Sequence, residues 1–372
     1  MSQKENFGLD KIKIFTNPIH SLVMKAIILH GGQGTRLRPL THTGPKQLIK
    51  IAGKPISLWG VLSLRDIGIR DFGIILGNNH PEKVIEYYGD GSKFGIKVTY
   101  IYQGEARGLA DAIYKVKDFV KDDNFIVYLG DNVVLEGLDK LVSFNSSASI
   151  LLARVDNPNR FGVAVINNDN KVVRLVEKPK ERISDLALVG VYTFTPEIFH
   201  AIEKIKPSWR GELEITDAIQ ELINEGKEVS YSIIKGWWKD TGTPDDLLEA
   251  NMILLDRYLE TVNKGKVVDS RVEGRVVIDE GSVVEKSVIR GPVYVGKNCK
   301  IRGSHILPFT SIGDNVVIED SEVSNSLIMD DVQIKGLSIT QSLIGSGARV
   351  LKKENLPTGR IFIIGENSLV EV

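Results

Sequence analysis

The sequence predicts an α/β protein in two parts, a mainly parallel sheet covered by helices followed by a parallel β-helix. Two periodicities carry this reading. Up to about Asp131, short β-branched apolar runs alternate with amphipathic helical stretches, whereas beyond residue 267 aliphatic residues recur every 16 to 17 positions. A length of 372 residues exceeds the roughly 100–200 of a typical single domain and leaves room for both.

In the first part, Lys25–Leu29, Phe72–Gly77, Val98–Gln103 and Phe125–Asp131 read as buried strands, bounded by Gly or Asp. Between them, Leu109, Ala112, Ile113, Val116 and Val120 recur at three- and four-residue spacing, which predicts one amphipathic helix over Leu109–Val120. Alternation of this kind implies a mainly parallel sheet with both faces covered, and ligands then belong at the carboxyl ends of the strands. The glycines after Leu29 and the acid Asp131 fall at such ends. A further helix begins at Thr243-Pro244-Asp245-Asp246: Thr243 can cap, Pro244 suits the first turn, and the two acids favour the positive helix end. Asn263-Lys-Gly-Lys266 then reads as a linker.

The second part shows three aliphatic rows. Ile278, Val295, Ile312, Ile328 and Ile344 form one, Ile301, Ile318, Ile334 and Val350 a second, and Ile306, Val323 and Ile339 a third. Rows five or six residues apart describe a triangular coil with one inward residue per side, the hexapeptide repeat of a parallel β-helix of about five coils. Turn residues sit where such a coil bends, at Gly296-Lys-Asn298, Gly313-Asp-Asn315 and Gly345-Ser-Gly347. An ordinary antiparallel sheet would not keep three rows in register over four repeats.

Composition narrows the function. Hydrophobic residues make up 42% and charged residues 26%, with a net charge of −1 and no run of like charges. That balance suits a globular protein and gives no sign of a nucleic-acid or membrane partner. The single cysteine, Cys299, excludes an intramolecular disulfide and suits a reducing cytoplasm. No apolar stretch reaches the ~18 residues that a membrane span needs. Residues 1–23 lack the apolar core of a secretory signal. Met24 opens the first strong strand and is the expected natural start, with residues 1–23 an extension; an N-terminal arm packing on a neighbouring subunit is the alternative.

The richest segment is Leu29-His-Gly-Gly-Gln-Gly-Thr-Arg-Leu-Arg-Pro-Leu40, followed by Gly44-Pro-Lys-Gln-Leu48. A glycine-rich turn after a strand lets backbone N–H groups approach phosphate oxygens closely. It is not a P-loop, because Gly34 is followed by Thr35-Arg36 rather than Lys-Ser/Thr. It is not a dinucleotide fingerprint either, because Leu37 takes the place of the third glycine and Pro39 disfavours the helix that should follow. What remains is a loop with its own cations, Arg36 and Lys46, able to neutralise a triphosphate.

Here the sequence resembles the sugar nucleotidyltransferases, especially glucose-1-phosphate thymidylyltransferases with a C-terminal left-handed β-helix. The resemblance runs from Met24 to near the C-terminus. It rests on this loop, on Gln103-Gly-Glu-Ala-Arg-Gly-Leu-Ala110, Leu129-Gly-Asp-Asn132 and Val176-Glu-Lys-Pro179, and on Arg210-Gly-Glu-Leu-Glu-Ile-Thr-Asp217 with Asp240-Thr-Gly-Thr243. It implies a dinucleotide-fold-like catalytic domain over 24–262 and a hexapeptide-repeat domain over 263–372. The implied reaction joins dTTP or UTP to a sugar phosphate, glucose-1-phosphate being favoured, with Mg²⁺ as cofactor.

Carried over residue by residue, the resemblance gives the backbone of Gly31, Gly32, Gly34 and Thr35 to the nucleotide, Arg36 to the departing pyrophosphate, and Lys46 to the transition state at the α-phosphorus. Gln103 and Gly108 match the pair that reads the pyrimidine edge, since an amide offers both donor and acceptor. Asp131 and Asp240 match the two metal carboxylates. Gly162, Glu177 and Val189 lie where the family meets sugar hydroxyls, and Lys178 where it pairs with the sugar phosphate. Arg210 and Glu212 either join the site or only shape their loop.

Two positions depart from the family pattern. His30 replaces a usual alanine, and is expected to face solvent or neighbouring loops, with contact to the nucleotide as the alternative. Lys50 replaces a usual proline and is expected to be a surface change. The β-helix is expected to assemble a homo-oligomer without chemistry of its own. A bifunctional acetyltransferase is the first alternative, weakened because His305 is the only histidine beyond residue 265 and has no obvious partner. A catalytically inactive regulatory subunit is the second, weakened because Arg36, Lys46, Asp131 and Asp240 are all present.

Overall fold

The computed structural model describes residues 24–142 and 145–352. The expected extension over 1–23 lies outside the described residues. Contacts divide the chain into two compact units, one of residues 24–33 with Ile56–Asp240, the other of Gly34–Pro55 with residues 241–352. The phosphate-loop segment is therefore split after Gln33, and its second half packs in the same unit as the β-helix.

The first unit holds a mixed nine-stranded sheet. Its strands are β1 (Met24–His30), β2 (Asp71–Leu76), β3 (Lys97–Tyr102), β4 (Asn124–Leu129), β5 (Ala148–Arg154), β6 (Gly162–Ile166), β7 (Val172–Glu177), β8 (Leu186–Phe194) and β9 (Val229–Ile233). The order along the main path is β7-β6-β8-β4-β1-β2-β3, with β5 joining β8 to β9. The strands β4, β1, β2 and β3 run parallel. β8 lies antiparallel to β4 and turns the second half of the sheet over. The strands β4, β1 and β2 are apolar on both faces, as buried strands must be: Ile27, Ile28, Phe72, Ile74, Phe125 and Val127 are all inaccessible to solvent. β3, expected as a buried strand, is instead an edge of the sheet, with Lys97 and Tyr102 exposed and the residues between them half-buried.

The expected single helix over Leu109–Val120 is two, Leu109–Tyr114 and Lys117–Val120. The chain tightens between them, where the Val116 amide reaches back only three residues to the Ile113 carbonyl. Its predicted face survives the break, with Ala112, Ile113, Val116 and Val120 all buried. Among the described residues, no helix is long and apolar enough to cross a membrane.

The second unit is built on the β-helix. Among the described residues, its three faces are parallel sheets of six, six and five short strands. The three aliphatic rows appear in the predicted register: Ile278 pairs with Val295, which pairs with Ile312, then Ile328 and Ile344. Ile301, Ile318, Ile334 and Val350 stack on the second face, and Ile306, Val323 and Ile339 on the third. At the bends, Asn298, Asn315 and Gly347 take positive φ of 55°, 58° and 72°, the left-handed geometry these residue types tolerate. The helix Pro244–Tyr258 leads into the coils, and Thr243 closes its first turn with a full capping box to Asp246. His305, expected to lack a partner, has one: its Nδ1 lies 3.8 Å from Glu322 Oε2, the register neighbour on the next coil. Both side chains are about half exposed, so the pair is a solvated one.

Candidate active site

In the first unit, Gly31, Gly32, Gln103 and Asp131 lie just beyond the carboxyl ends of β1, β3 and β4, where a parallel sheet offers its ligand crevice. Gly31 and Gly32 follow β1, and a Cβ on Gly31 would lie 3.2 Å from Gln103 Oε1. The bare backbone at Gly31 thus sits against the amide that closes β3. Gln103 is buried, and its backbone N–H is anchored on the Leu76 carbonyl at 3.0 Å.

Gly108 has a second, structural demand on it. Its φ is +116°, and a Cβ there would come within 2.5 Å of both the backbone N and O of Leu213. The two strings are laced together on either side: the Leu213 N–H donates to Arg107 O at 2.8 Å and Ala110 N–H donates to Leu213 O at 3.0 Å. Glycine is required here for packing, whatever it also offers a base.

Asp131 follows β4, and the short strand Asn132–Val134 runs antiparallel to Trp238–Asp240 with Asp240 opposite Asn132. A ladder of backbone hydrogen bonds therefore brings residues more than a hundred positions apart to one place. Asn132 fixes the local geometry: its Nδ2 donates to Asp131 Oδ1 at 3.0 Å, and its Oδ1 accepts from Trp238 Nε1 at 2.7 Å. Among the described residues, no group of three or more His, Cys, Asp or Glu is placed to hold a metal. A pair of carboxylates is what Mg²⁺-type sites commonly supply when phosphate and water complete the shell, so the hard oxygen donors present fit such an ion.

Glu177 ends β7, and its antiparallel partner is Gly162. A Cβ on Gly162 would lie 3.0 Å from Glu177 Oε2 and 2.6 Å from Thr216 Cγ2, so the missing side chain makes room for the carboxylate. Burial pushes the Glu177 carboxyl above its ordinary range, reinforced by Glu214 and opposed by Lys178, Arg210 and Thr216. Lys178 follows with φ of +42°, its Nζ 3.8 Å from Glu177 Oε1. Val189 is fully buried, beside an interruption of the β8–β5 ladder between Leu188 and Tyr192.

The second unit holds Gly34, Thr35, Arg36 and Lys46. Gly34 has φ of +60°, its carbonyl accepts from Thr41 Oγ1 at 2.8 Å, and a Cβ there would lie 2.9 Å from Thr41 Cγ2 and 3.4 Å from Lys46 Cβ. The Arg36 guanidinium lies against Gly242, where a Cβ would meet Nη2 at 2.6 Å. Gly242 thus has a reason to be glycine within the Asp-Thr-Gly string.

Both departures from the family pattern turn out differently from their expected surface roles. His30 is 3% exposed and sits edge-on to Tyr88, ring centroids 5.8 Å apart, with neither ring nitrogen hydrogen-bonded among the described residues. The helix Pro81–Tyr88 covers it, and Tyr88 is held in turn by Ser57 Oγ at 2.7 Å. His30 therefore does not face solvent. Lys50 is not a solvated surface change: its Nζ reaches Asp314 Oδ2 at 2.8 Å and Asp330 Oδ1 at 2.9 Å.

Residues 25–257 match the Nucleotidyl transferase family. The chain belongs to that family. It is 46% identical over 356 residues to a glucose-1-phosphate thymidylyltransferase of Streptomyces antibioticus, which covers 94% of this chain and 99% of the relative. It is 44% identical over 359 residues to a low-salt glycan biosynthesis nucleotidyltransferase of Haloferax volcanii, over 94% of this chain and all of that one. A Bacillus anthracis protein solved in complex with a sucrose superposes with a TM-score of 0.58 at 39% identity, covering 62% of this chain and 94% of that one. Nucleotidyl transferases of this family generally work with a divalent metal.

Within this frame, sequence reading missed some support residues. Arg210 is not confined to its loop: its Nη1 lies 3.7 Å from Glu177 Oε1 and 3.3 Å from Glu214 Oε1. Glu214, itself buried, was not singled out, nor were Asn132 and Trp238, which orient the Asp131 turn. The alternating charges of Arg210-Gly-Glu-Leu-Glu214 carried the signal for the first pair, since a buried glutamate needs a cation beside it.

Proposed function

We propose that the protein transfers a nucleotidyl group from dTTP or UTP to glucose-1-phosphate, giving dTDP-glucose or UDP-glucose and pyrophosphate. The observation that carries this reading is the near full-length likeness to a glucose-1-phosphate thymidylyltransferase. The local geometry agrees with it, since Gln103 meets the glycine loop and Asp240 meets the Asp131 turn.

In the reaction, a phosphate oxygen of glucose-1-phosphate attacks the α-phosphorus, and the bond from that phosphorus to the bridging oxygen breaks on the opposite side. The electron pair leaves with pyrophosphate, so no covalent enzyme intermediate is needed. Chemistry of this kind runs on positioning and charge neutralisation. The amides of Gly31, Gly32, Gly34 and Thr35 would hold the triphosphate, Arg36 would take charge from the departing pyrophosphate, and Lys46 would stabilise charge developing at the α-phosphorus. Gln103, through its amide, and Gly108, through its backbone, would read the pyrimidine. Glu177, the backbone of Val189 and the space left by Gly162 would receive sugar hydroxyls, with Lys178 on the sugar phosphate. Asp131 and Asp240 would hold Mg²⁺, which supplies orientation and charge withdrawal at the α-phosphate.

The proposal extends to a homo-oligomer assembled through the β-helix and to a cytoplasmic setting, where nucleoside triphosphates are made. The test is pyrophosphate release over a grid of nucleoside triphosphates and sugar phosphates. The largest kcat/KM should fall on dTTP or UTP with glucose-1-phosphate. A purine triphosphate preferred over both pyrimidines would refute the reading of Gln103.

A further inference from the structure

We propose that one corner of the β-helix is a positioning device for the segment that carries Arg36 and Lys46, with Lys50 as its clasp. The inference rests on the roles given above to those two cations, and every contact in it lies within the second compact unit.

The segment Gly34–Pro55 ends in a tight hairpin, Lys50–Ile51 paired with Lys54–Pro55. The segment meets successive coils one after another. The Tyr294 ring lies against Gly53, where a Cβ would fall 2.5 Å from it. Lys50 spans the next two coils through Asp314 and Asp330, and Leu40 packs on Gly345 one coil further.

The two aspartates are held before Lys50 reaches them. Asp314 Oδ1 accepts from Lys297 N at 2.8 Å, and Asp330 Oδ1 accepts from Asp314 N at 2.8 Å. Each carboxylate folds back onto the coil before it. Glycine makes the fold possible, since a Cβ on Gly296 would lie 2.6 Å from Asp314 Oδ1 and one on Gly313 would lie 2.4 Å from Asp330 Oδ1. A fixed pair of stacked carboxylates repels itself unless a cation bridges it, and Lys50 is that cation.

A second attachment is uncharged. Asn251, fully buried in the helix Pro244–Tyr258, accepts from the Ala52 N–H at 2.9 Å and from Ser311 Oγ at 2.6 Å, and donates from Nδ2 to Phe309 O at 2.8 Å. One side chain thus ties the hairpin to a coil through three bonds. Lys46 is four residues from Lys50 and is separated from it only by a short 3-10 turn and Ile49. A cation that acts in the transition state loses effect steeply when displaced by even an ångström. Holding the hairpin therefore holds Lys46.

The experiment uses the full chain. Lys50→Met and Lys50→Arg are compared with wild type by amide hydrogen exchange over residues 34–55 and by steady-state pyrophosphate release. Lys50→Met should speed exchange there at least about tenfold and lower kcat at least about fivefold, with KM for glucose-1-phosphate little changed, because the loss falls on the transition state. Lys50→Arg should restore most of both. Asp314→Asn with Asp330→Asn should reproduce Lys50→Met, and combining all three should add little. If Lys50→Met fails to fold, that aspartate pair carries the same expectation from the coil side. Exchange and kcat within twofold of wild type in Lys50→Met would overturn the proposal. A Lys46→Ala protein with full turnover would instead refute the role of Lys46, and the exchange arm would still decide whether the clasp holds the segment.

Discussion

His30 should make the protein lose stability in mild acid, and its removal should cancel that loss. The imidazole is enclosed at the end of β1, edge-on to Tyr88, with no hydrogen-bond partner for either nitrogen among the described residues. Burial lowers its pKa from 6.5 to about 3, partly opposed by the Asp131 carboxylate. The folded protein therefore keeps His30 neutral, while the unfolded chain binds a proton as pH falls through 6.5. Stability from this group is complete above the unfolded value and drains away below it, until the folded form also protonates near 3. Each pH unit in that window is worth about 1.4 kcal/mol, so wild type should lose about 2 kcal/mol between pH 7 and pH 5 through His30 alone.

The four tryptophans, Trp59, Trp209, Trp237 and Trp238, all lie in the compact unit that contains His30. Urea unfolding followed by tryptophan fluorescence therefore reports the relevant unit. His30→Ala will destabilise at both pH values by leaving space beside Tyr88, but that cost does not depend on pH. The quantity to compare is the drop from near pH 7 to near pH 5 in each protein. It should be about 2 kcal/mol smaller in His30→Ala. Equal drops would refute the claim that the imidazole is held neutral. So would a drop larger in the variant.

Asp131→Asn should lower turnover at least ~100-fold with an unchanged melting temperature, since Asn132 can still bond the amide oxygen; near-normal pyrophosphate release by the folded variant would end the metal assignment. Gly108→Ala should cost roughly 3 kcal/mol and lower the melting temperature by about 5–10 °C, because its Cβ would strike the Leu213 backbone at a positive φ; loss of activity with an unchanged melting temperature would make the glycine purely a ligand contact. Acid should also open the Lys50 clasp. The Asp314 carboxyl is penalised by burial, yet its bonds to Lys50 and the Lys297 amide hold it below the ordinary range. Its contribution is then present above the ordinary carboxylate pKa and lost only as pH falls through the lowered value. Amide exchange over residues 34–55, corrected for its intrinsic pH dependence, should be flat from near neutrality to mild acid and rise below about pH 4.

What the sequence made legible depended on whether the signal was local. The β-helix rows could be read because each coil contributes one inward aliphatic residue per side, so stacking neighbours are fixed by chain spacing alone. The register Ile278–Val295–Ile312–Ile328–Ile344 follows. The strands β1, β2 and β4 were legible for the same reason, their burial on both faces leaving continuous apolar runs; the half-exposed edge strand β3 was read as buried because its apolar residues gave no sign that the sheet ends there. The helix break at Val116 was not, because the apolar face it presents is the same with or without the break. His30 was misplaced because its cover comes from Tyr88, some sixty residues on, and an exposed loop follows it directly.

Lys50 is the instructive case, since half of its explanation lay in the repeat all along. Asp314 and Asp330 are sixteen residues apart, one coil, so the periodicity that set the aliphatic rows also stacks these two acids. Adjacent strands of a sheet lie about 4.8 Å apart, and at that separation two carboxylates at a protein surface repel by a few kcal/mol. A repeat that places them so needs cations close by: Lys297 on the coils acts on Asp314, and Lys50 bonds both acids. The charge that bridges the two comes from outside the coils. Lys50, read from the sequence as a departure from the pattern that the resemblance implies and lying four residues beyond the cation assigned to the α-phosphorus, was the candidate. Reading like charges along a solenoid for the partner they require is thus a way to find contacts that periodicity alone does not name, and here it leads from an acidic corner of the β-helix to the segment proposed to carry the catalytic cations.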